Sequence, residues 1–200
     1  MTIKAVIFDL DGVVRHFAPC DTIELQHALA PGIVTATAFE SDLLEPTITG
    51  RWSHEEWVVA IGDRLAQRHG EGARAAARAF VSLPTRVDDG VLALVDRLRA
   101  NQTVALLTNG TTRVEDELRT ARIDEHFDHV FNSARIGYAK PDVRVFEHAM
   151  SVIGCAPQAC VFIDDSESKL AGAHQLGIRT VHFTGLEPLV TQLRAWDVRC

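Results

Sequence analysis

The chain has 200 residues, 46% of them hydrophobic and 24% charged, a composition that fits one sizeable core, or a core domain with a smaller insertion, and excludes a disordered chain. A net charge of −7 without any Lys/Arg cluster argues against a nucleic-acid partner, which needs a basic surface. No apolar run reaches transmembrane length and the four scattered cysteines lack zinc-site spacing, so we expect a cytoplasmic protein with unpaired thiols and no membrane contact.

Five short apolar runs predict the strands of a mostly parallel sheet. They are rich in β-branched residues and are separated by longer helical patterns: AVIFDL, TVALLT, HVF, CVFID and IRTVHF. Strands buried on both faces read as continuous apolar runs, and their alternation with helices is typical of parallel sheets. The sequence therefore predicts the α/β class, with a Rossmann-like parallel sheet core covered by helices.

Between His16 and about Arg86 the strand signals disappear and helical ones replace them. The segment SHEEWVVAIGDRLAQRHG has Ser53 as the expected N-cap, Glu56 as its capping-box partner and Gly70 as the C-terminal stop. We therefore expect residues 14–86 to form a small all-helical cap, and residues 1–13 and 87–200 to form the α/β core. The segments SLPTR and the one after Gly12 are the candidate hinges between them.

Two carboxylates interrupt the first apolar run, AVIFDLDGVV. Residues two apart on a strand project to the same side, so Asp9 and Asp11 face together at the strand's carboxyl end. Ligand sites in open α/β sheets lie beyond this edge, and Gly12 lets the backbone turn and a ligand approach. Because an unpaired buried carboxylate is costly, a positive group is expected beside the two aspartates.

Three later segments place polar groups at the same edge. LLTNGTT ends a strand in Thr108, Asn109 and Gly110 before a helix begins, which predicts an anion site at that helix N-terminus. The segment GYAKPD presents Lys140 as a point positive charge, and FIDDS ends another strand in Asp164 and Asp165. Each segment alone also fits an ordinary loop or helix cap, and only the combination indicates a site.

One lysine cannot neutralise four carboxylates, whereas a hard divalent cation can. Oxygen-only ligation with room for water and phosphate is typical of Mg²⁺ rather than Zn²⁺, so magnesium is the expected cofactor. A phosphoryl group fits the remaining space, with Thr108 and the Gly110 region binding its oxygens and Lys140 balancing its charge. An aspartate would then attack phosphorus.

The ordered set DLDG, LLTN, KPD and FIDDS resembles the four motifs of the haloacid dehalogenase superfamily, specifically its phosphatase-like members with a small helical cap inserted after the first motif. The resemblance implies that Asp9 is the nucleophile and that Asp11 is the general acid and base, with its pKa tuned upward. It implies that Thr108 and Lys140 hold the phosphoryl oxygens, with Asn109 as a helper. It also implies that magnesium is held by Asp9, the backbone carbonyl of Asp11, Asp165 and Asp164.

The expected function is hydrolysis of a small phosphate monoester, possibly a sugar phosphate, through a phosphoaspartate. The cap segment TGRWSHEEW is similar to the Gly-x-x-Ser helix start of sugar-phosphate phosphatases in this group, and Arg51 and Trp52 precede that helix. Arg15 and His16 follow the first motif, where they either face the site or form a solvated hinge. No protein partner is implied.

Asp11 distinguishes two kinds of member within the superfamily, and Lys169 differs from the residue that many members have. Relatives that cleave carbon–halogen bonds without metal lack the second aspartate of the first motif, so Asp11 argues against that chemistry. Lys169 stands where many relatives have asparagine, and it either pairs with Asp164 or Asp165 and weakens metal binding or lies on the helix surface. The alternatives are therefore a phosphomutase using the same residues, a metal-free 2-haloacid dehalogenase, and a regulatory module without turnover.

Overall fold

The computed structural model describes residues 2–199 and contains two sheets. Their strands, numbered along the chain, are β1 (Ala5–Phe8), β2 (Arg15–Phe17), β3 (Thr85–Val87), β4 (Thr103–Thr108), β5 (His129–Asn132), β6 (Cys160–Asp164) and β7 (Arg179–His182). Five of them form one parallel sheet in the order β5-β4-β1-β6-β7, and these are the five strands predicted from the apolar runs. The predicted α/β class is confirmed.

Eleven α-helices occur within residues 2–199. They are α1 (Asp21–Gln26), α2 (Ile33–Ala38), α3 (Ser41–Ile48), α4 (His54–His69), α5 (Ala75–Phe80), α6 (Asp89–Arg99), α7 (Val114–Thr120), α8 (Ser133–Ile136), α9 (Val143–Ile153), α10 (Glu167–Gln175) and α11 (Leu186–Ala195). None of these helices is long and apolar enough to cross a membrane.

The central sheet is covered on both faces, which explains why its strands lack an alternating polar pattern. Val6 and Phe8 of β1 pack with α6, α7 and α11 on one face. Ala5 and Ile7 pack with α9 and α10 on the other. Successive side chains of β1 point to opposite faces, and helices cover both faces, so all four residues of the strand are fully buried.

Helix ends follow the local signals in the sequence. Ser53 caps α4, its side chain accepts from the Glu56 N–H, and the Glu56 carboxylate accepts from the Ser53 N–H, so the predicted capping box is confirmed. A good N-cap of this kind contributes about 1 kcal/mol. Gly70 ends α4 as predicted, and Asp142 is the N-cap of α9, which begins at Val143.

Helices α1 to α5 have a hydrophobic cluster of their own, separate from the two clusters around the sheet. Its fully buried members include Val34, Ile61 and Leu65. We call these helices the five-helix unit. Its helical character agrees with the sequence prediction for this segment.

The expectation that this segment contains no strands is wrong at its two ends. Strand β2 pairs antiparallel with β3, with Arg15 opposite Val87 and Phe17 opposite Thr85. Each strand is only three residues long and lacks a buried alternating pattern, so no sequence signal marks it. This two-stranded ribbon joins the five-helix unit to the central sheet, and Val13 and Val14 before it still pack in the sheet's hydrophobic core.

Candidate active site

Three neighbouring strands end at one edge of the central sheet and bring the predicted residues together. Asp9 follows β1 directly, Thr108 is the last residue of β4, and Asp164 is the last residue of β6. Strands β4 and β6 flank β1 in parallel, and the Asp9 N–H extends the pairing by donating to the Ile163 carbonyl at 2.8 Å. The carboxyl ends of these strands therefore meet, as the sequence predicted.

The Asp9 carboxylate is 2% exposed, and its two oxygens have different surroundings. Oδ1 accepts from the Leu10 N–H at 2.7 Å and lies 2.8 Å from Lys140 Nζ. Oδ2 is buried and has no hydrogen-bond partner among residues 2–199. A buried carboxylate oxygen without a partner is costly, so Oδ2 is an open position for an added positive group.

Lys140 has a fully buried side chain held by three acceptors. Besides Asp9, its Nζ donates to Asp164 Oδ2 at 2.7 Å and to the Leu107 carbonyl at 3.0 Å. The sequence predicted a positive charge beside the aspartates, and the structure places it there. Burial raises the pKa of Asp164 to about 6, although the charge of Lys140 opposes this shift.

Two contacts hold the loop that carries Lys140: one from Asn109, and one from Gly172, which was not among the predicted site residues. The Asn109 side chain donates to the Lys140 carbonyl at 2.9 Å and accepts from the Lys140 N–H at 2.8 Å, so Asn109 acts on the lysine's backbone. Gly172 of α10 lies so close that a Cβ there would be 1.9 Å from the Pro141 carbonyl oxygen. A glycine inside a predicted helix was the available signal for this close approach.

A group of three carboxylates beside Lys140 has the spacing of a metal site. Asp9, Asp164 and Asp165 each offer an oxygen within 4.8 Å of the others. Gly12 lies against this group with φ +91°, and a Cβ there would be 2.1 Å from Asp165 Oδ2. The group contains three of the four predicted metal residues; the side chain of the fourth, Asp11, points elsewhere.

The Asp11 carboxylate is paired with Arg15. Arg15 Nε lies 2.6 Å from Asp11 Oδ1, and Nη2 lies 3.1 Å from Oδ2. The third nitrogen of the guanidinium, Nη1, donates to Glu117 of α7 at 2.9 Å. Burial raises the pKa of Asp11 above its usual value, although Arg15 acts in the opposite direction. The general-acid role predicted for Asp11 requires a raised pKa of this kind.

Lys169 also faces the site, but the carboxylate nearest to it is that of Asp9, whereas Asp164 or Asp165 was expected. Its Nζ lies 3.6 Å from Asp9 Oδ2, the oxygen without a hydrogen-bond partner. Burial disfavours the charged form, yet Asp9, Asp164 and Asp165 raise the pKa of Lys169 above its usual value. Lys169 is therefore a charged neighbour of Asp9 and not a helix-surface residue.

The expected anion site at a helix N-terminus is not formed directly after Gly110. The chain continues through a turn, and α7 begins only at Val114. Thr108 is 2% exposed and Gly110 is buried, and both line the cavity at this edge together with Asn109. The turn is held by Asn132, whose side chain donates to the Thr111 carbonyl at 2.9 Å.

The five-helix unit contacts the sheet edge at two places. His54, the first residue of α4, donates its N–H to Thr112 Oγ1 at 3.0 Å, and its ring Nδ1 lies 3.0 Å from Thr111 Oγ1. A Cβ on Gly50 would lie 2.0 Å from the Ala134 carbonyl oxygen of α8. The unit is therefore held over the edge where Asp9 lies.

A cavity of about 470 Å³ separates this unit from the sheet edge, and its floor contains Asp9, Asp11, Gly12, Thr108 and Lys169. A larger cleft of about 770 Å³ lies near Lys4 and Arg99 and includes none of these floor residues. Size alone therefore does not locate the site. The smaller cavity is the one that meets the carboxylates and lysines.

The described cysteines lie apart from the carboxylates and lysines around Asp9, and of these cysteines only Cys20 lines the cavity. Cys20, Cys155 and Cys160 are free, as expected from the sequence, and Cys200 lies outside the described residues. Burial raises the pKa of Cys160 to about 12 and raises that of Cys20 above its usual value, so both are neutral thiols at pH 7.

Comparison with known proteins agrees with the motif order. A haloacid dehalogenase-like hydrolase family model matches residues 3–177. Phosphoserine phosphatase from Thermus thermophilus is 34% identical over 113 residues, which are 53% of this chain and 45% of that protein. The chain therefore spans less than half the length of that relative.

Two further relatives match nearly the whole chain. A sesquiterpene phosphatase from Aspergillus oryzae is 25% identical over 195 residues, 96% of each chain. A family enzyme from Bacteroides thetaiotaomicron, crystallised with magnesium and inorganic phosphate, shares the fold with a TM-score of 0.71 at 23% identity, covering 90% of this chain and 93% of that one. Because the family model spans most of the sequence, this chain belongs to the haloacid dehalogenase-like hydrolases, and its named relatives include phosphatases.

Proposed function

We propose that this protein is a magnesium-dependent phosphatase that hydrolyses a small phosphate monoester through a phosphoaspartate on Asp9. The observation that carries the proposal is the asymmetry of the Asp9 carboxylate. Lys140 and a backbone N–H hold Oδ1, while Oδ2 is buried without a hydrogen-bond partner beside Asp164 and Asp165. A nucleophile must be oriented in this way and still keep a free lone pair.

The donor set fits magnesium. All three candidate side-chain ligands are carboxylates, and Mg²⁺ binds carboxylate oxygens and leaves positions for water and phosphate. Three carboxylates with Lys140 and Lys169 leave one negative charge, so a divalent ion makes the site positive enough to attract a phosphate. When bound by Asp9, Asp164 and Asp165, the ion would neutralise charge on the transferring phosphoryl group. The magnesium and phosphate held by the Bacteroides enzyme support this assignment.

The residues of this chain would divide the reaction into two displacements. In the first, an Asp9 oxygen bonds to phosphorus, the bond from phosphorus to the ester oxygen breaks, and Asp11 gives its proton to the departing alcohol. In the second, Asp11 takes a proton from water, the water oxygen bonds to phosphorus, and the Asp9–phosphorus bond breaks to release phosphate. Thr108 and Gly110 would bind the phosphoryl oxygens, while Asn109 and Gly12 shape the loops around them. The Lys140 ammonium already has acceptors in Asp9, Asp164 and the Leu107 carbonyl, so it would orient Asp9 and balance the negative charge of the site.

We further propose that residues 14–86 form the cap and that residues 1–13 and 87–200 form the core. The cavity between the five-helix unit and the sheet edge supports this division, because a ligand at Asp9 would lie beneath that unit. Such a cover excludes bulk water from the phosphoaspartate and meets the leaving group. The relatives described above are a phosphoserine phosphatase and a sesquiterpene phosphatase, whose names indicate leaving groups of very different polarity.

The test is phosphate release from a panel of small monoesters, with magnesium and with chelator, for the native protein and the Asp9→Asn variant. We expect magnesium-dependent release that the variant loses, since an amide is a far weaker nucleophile. Halide release from 2-haloacids without phosphate release would instead indicate a dehalogenase. Turnover that requires a bisphosphate activator would indicate a phosphomutase, and folded, magnesium-binding protein without turnover would indicate a regulatory module.

A further inference from the structure

We propose that the leaving group of the substrate is an uncharged, largely hydrocarbon alcohol that lies in the 470 Å³ cavity between the five-helix unit and the sheet edge. The proposal rests on the proposed phosphatase function and names its substrate class. This substrate class differs from the sugar phosphate that the sequence suggested. The chemistry of the cavity wall is the reason.

The wall of the cavity on the side of the five-helix unit is apolar. Its main side chains come from β2 and from four separate parts of the helical segment: Phe17, Phe39, Leu44, Ile48, Trp57 and Phe80. Leu44 and Ile48 are four residues apart on α3, so both face the cavity from one side of that helix. Phe17 and Phe39 are 51% and 56% exposed, so apolar rings continue to the cavity's mouth.

The few polar groups of this wall carry no charge. Cys20 and Thr35 line the cavity, and burial raises the pKa of Cys20, so its thiol stays neutral at pH 7. The Trp57 indole N–H donates to the Ala38 carbonyl at 3.2 Å, so it is not available to a ligand in the cavity. Among the described residues of this wall, therefore, no carboxylate or ammonium group is offered to a polar leaving group.

Charged side chains do line the cavity nearer the sheet: Asp165 and Lys169 lie at its floor beside Asp9, and Asp11, Arg15 and Glu117 contact one another. Arg15 contacts both Asp11 and Glu117, so its positive charge is already balanced. His54 contacts Thr111 on one ring nitrogen, and Arg113 Nη1 lies 3.5 Å from the other. Lys169 lies at the cavity floor beside Asp9, where the phosphoryl group itself would bind. Away from that floor, a second phosphate or a carboxylate on the alcohol would find no unpaired cation among the described lining residues.

The cavity can enclose a whole small molecule, because ligand sites typically measure about 300–1,000 Å³. Burial of one methylene group in such a place favours binding enough to change kcat/KM by about fourfold. An alcohol with several hydroxyls or a charge would instead lose hydrogen bonds to water without replacement. The site should therefore select against phosphoserine and sugar phosphates.

The sequence features that suggested a sugar phosphate have other roles in the structure. Ser53 and Glu56 form the capping box of α4, and Gly50 makes room for the Ala134 carbonyl. Arg51 forms an ion pair with Glu45, and neither Arg51 nor Trp52 lines the cavity. These residues build the helix start and its contact with α8, so they give no support for a sugar-binding surface.

The test measures kcat/KM of the magnesium-loaded enzyme for ethyl, butyl, hexyl and octyl phosphate, with phosphoserine and glucose 6-phosphate as polar comparisons. We expect kcat/KM to rise about fourfold per methylene until the cavity is filled, and to exceed that of both polar esters. The double variant Leu44→Asn/Ile48→Asn should lose at least tenfold on hexyl phosphate and little on ethyl phosphate. Val59→Asn is the matched control, because Val59 is an exposed apolar residue of α4 that does not line the cavity.

A flat chain-length series, or a polar ester that is hydrolysed at least as well as hexyl phosphate, would overturn the apolar leaving group while leaving the phosphatase function intact. If no ester is hydrolysed, the phosphatase function fails, and calorimetry with the matching alkylphosphonates still tests the cavity. Affinity that rises with chain length and falls in the double variant would sustain the apolar site. Affinity independent of chain length would overturn it.

Discussion

Arg15 holds Asp11 by a two-point contact, with nitrogen–oxygen distances of 2.6 and 3.1 Å, at the start of the ribbon that joins the five-helix unit to the sheet. Arg15 is itself 5% exposed and fixed by Glu117. The carboxylate proposed as general acid and base is therefore aimed by a residue on the element that would move with the cap. This relationship makes Arg15 a positioning residue for Asp11.

Replacement of Arg15 should affect turnover more than binding. We expect Arg15→Ala to lower kcat about 10- to 100-fold with a smaller change in KM, because general acid–base catalysis contributes about 10²–10⁴-fold and the variant keeps Asp11 but loses the group that aims it. Loss of the adjacent positive charge should also raise the pKa of Asp11 further, which moves the corresponding limb of the pH–rate profile to higher pH.

The measurement is kcat and KM across pH for native protein, Arg15→Ala and the control Arg86→Ala, which removes an exposed arginine from β3 of the same ribbon. Unchanged kcat with an unchanged pH profile in Arg15→Ala would show that Arg15 has no part in aiming Asp11.

Gly12 offers a direct test of the carboxylate group. Gly12→Ala should weaken magnesium binding at least tenfold and remove most activity, because the new methyl group would overlap Asp165 Oδ2. Gly32→Ala is the matched control, since Gly32 has a similar φ of +84° but nothing within 4 Å of an added Cβ. Both variants should lose about 1–2 kcal/mol of stability from the left-handed backbone conformation.

Calorimetric titration measures the magnesium affinity, which only Gly12→Ala should lower. Thermal unfolding measures the loss of stability, which both variants should share. Equal magnesium affinity in the two alanine variants would place the ion away from Asp165.

Lys169 should compete with the metal for Asp9. Its ammonium lies 3.6 Å from Asp9 Oδ2 and would repel an ion bound by Asp9, so Lys169→Met should tighten magnesium binding about tenfold by removing a like charge. Lys4→Met, which removes an exposed lysine remote from the site, should leave the affinity unchanged. Weaker magnesium binding in Lys169→Met would mean instead that this lysine supports the site.

His54 should make the folded state sensitive to mild acid. Burial and the nearby Arg113 lower the pKa of His54 below its usual value of 6.5, so the unfolded chain takes up a proton at higher pH than the folded chain. The free energy of unfolding should therefore decrease as pH falls below about 6.5, towards the lower pKa of the folded state.

The His54→Gln variant should show a smaller decrease over that range, while His69→Gln, which changes an exposed histidine at the end of the same helix, should behave like the native protein. Thermal unfolding across this pH range gives the comparison. Parallel pH dependence in the native protein and His54→Gln would show that His54 contributes nothing to it.

Local patterns were enough to predict the sheet and the residues at its edge. Each strand of the central sheet is a continuous apolar run, because both faces are covered, and parallel strands bring their carboxyl ends to one edge wherever they stand in the sequence. Asp9, Thr108 and Asp164 could therefore be assigned to the same edge before any contact was known. Helix ends such as Ser53 and Gly70 were predictable because capping acts within a few residues.

Tertiary structure alone decided what these residues contact and what surrounds them. Arg15 and Glu117 are 102 positions apart, and Lys140 reaches Asp164 across 24 residues, so no local periodicity links the members of either pair. The apolar wall of the cavity likewise combines β2 with several helices. Sequence determined which side chains stand at strand and helix ends, since those rules are local, whereas packing between distant segments decided their partners, their burial and the chemistry of the space above Asp9.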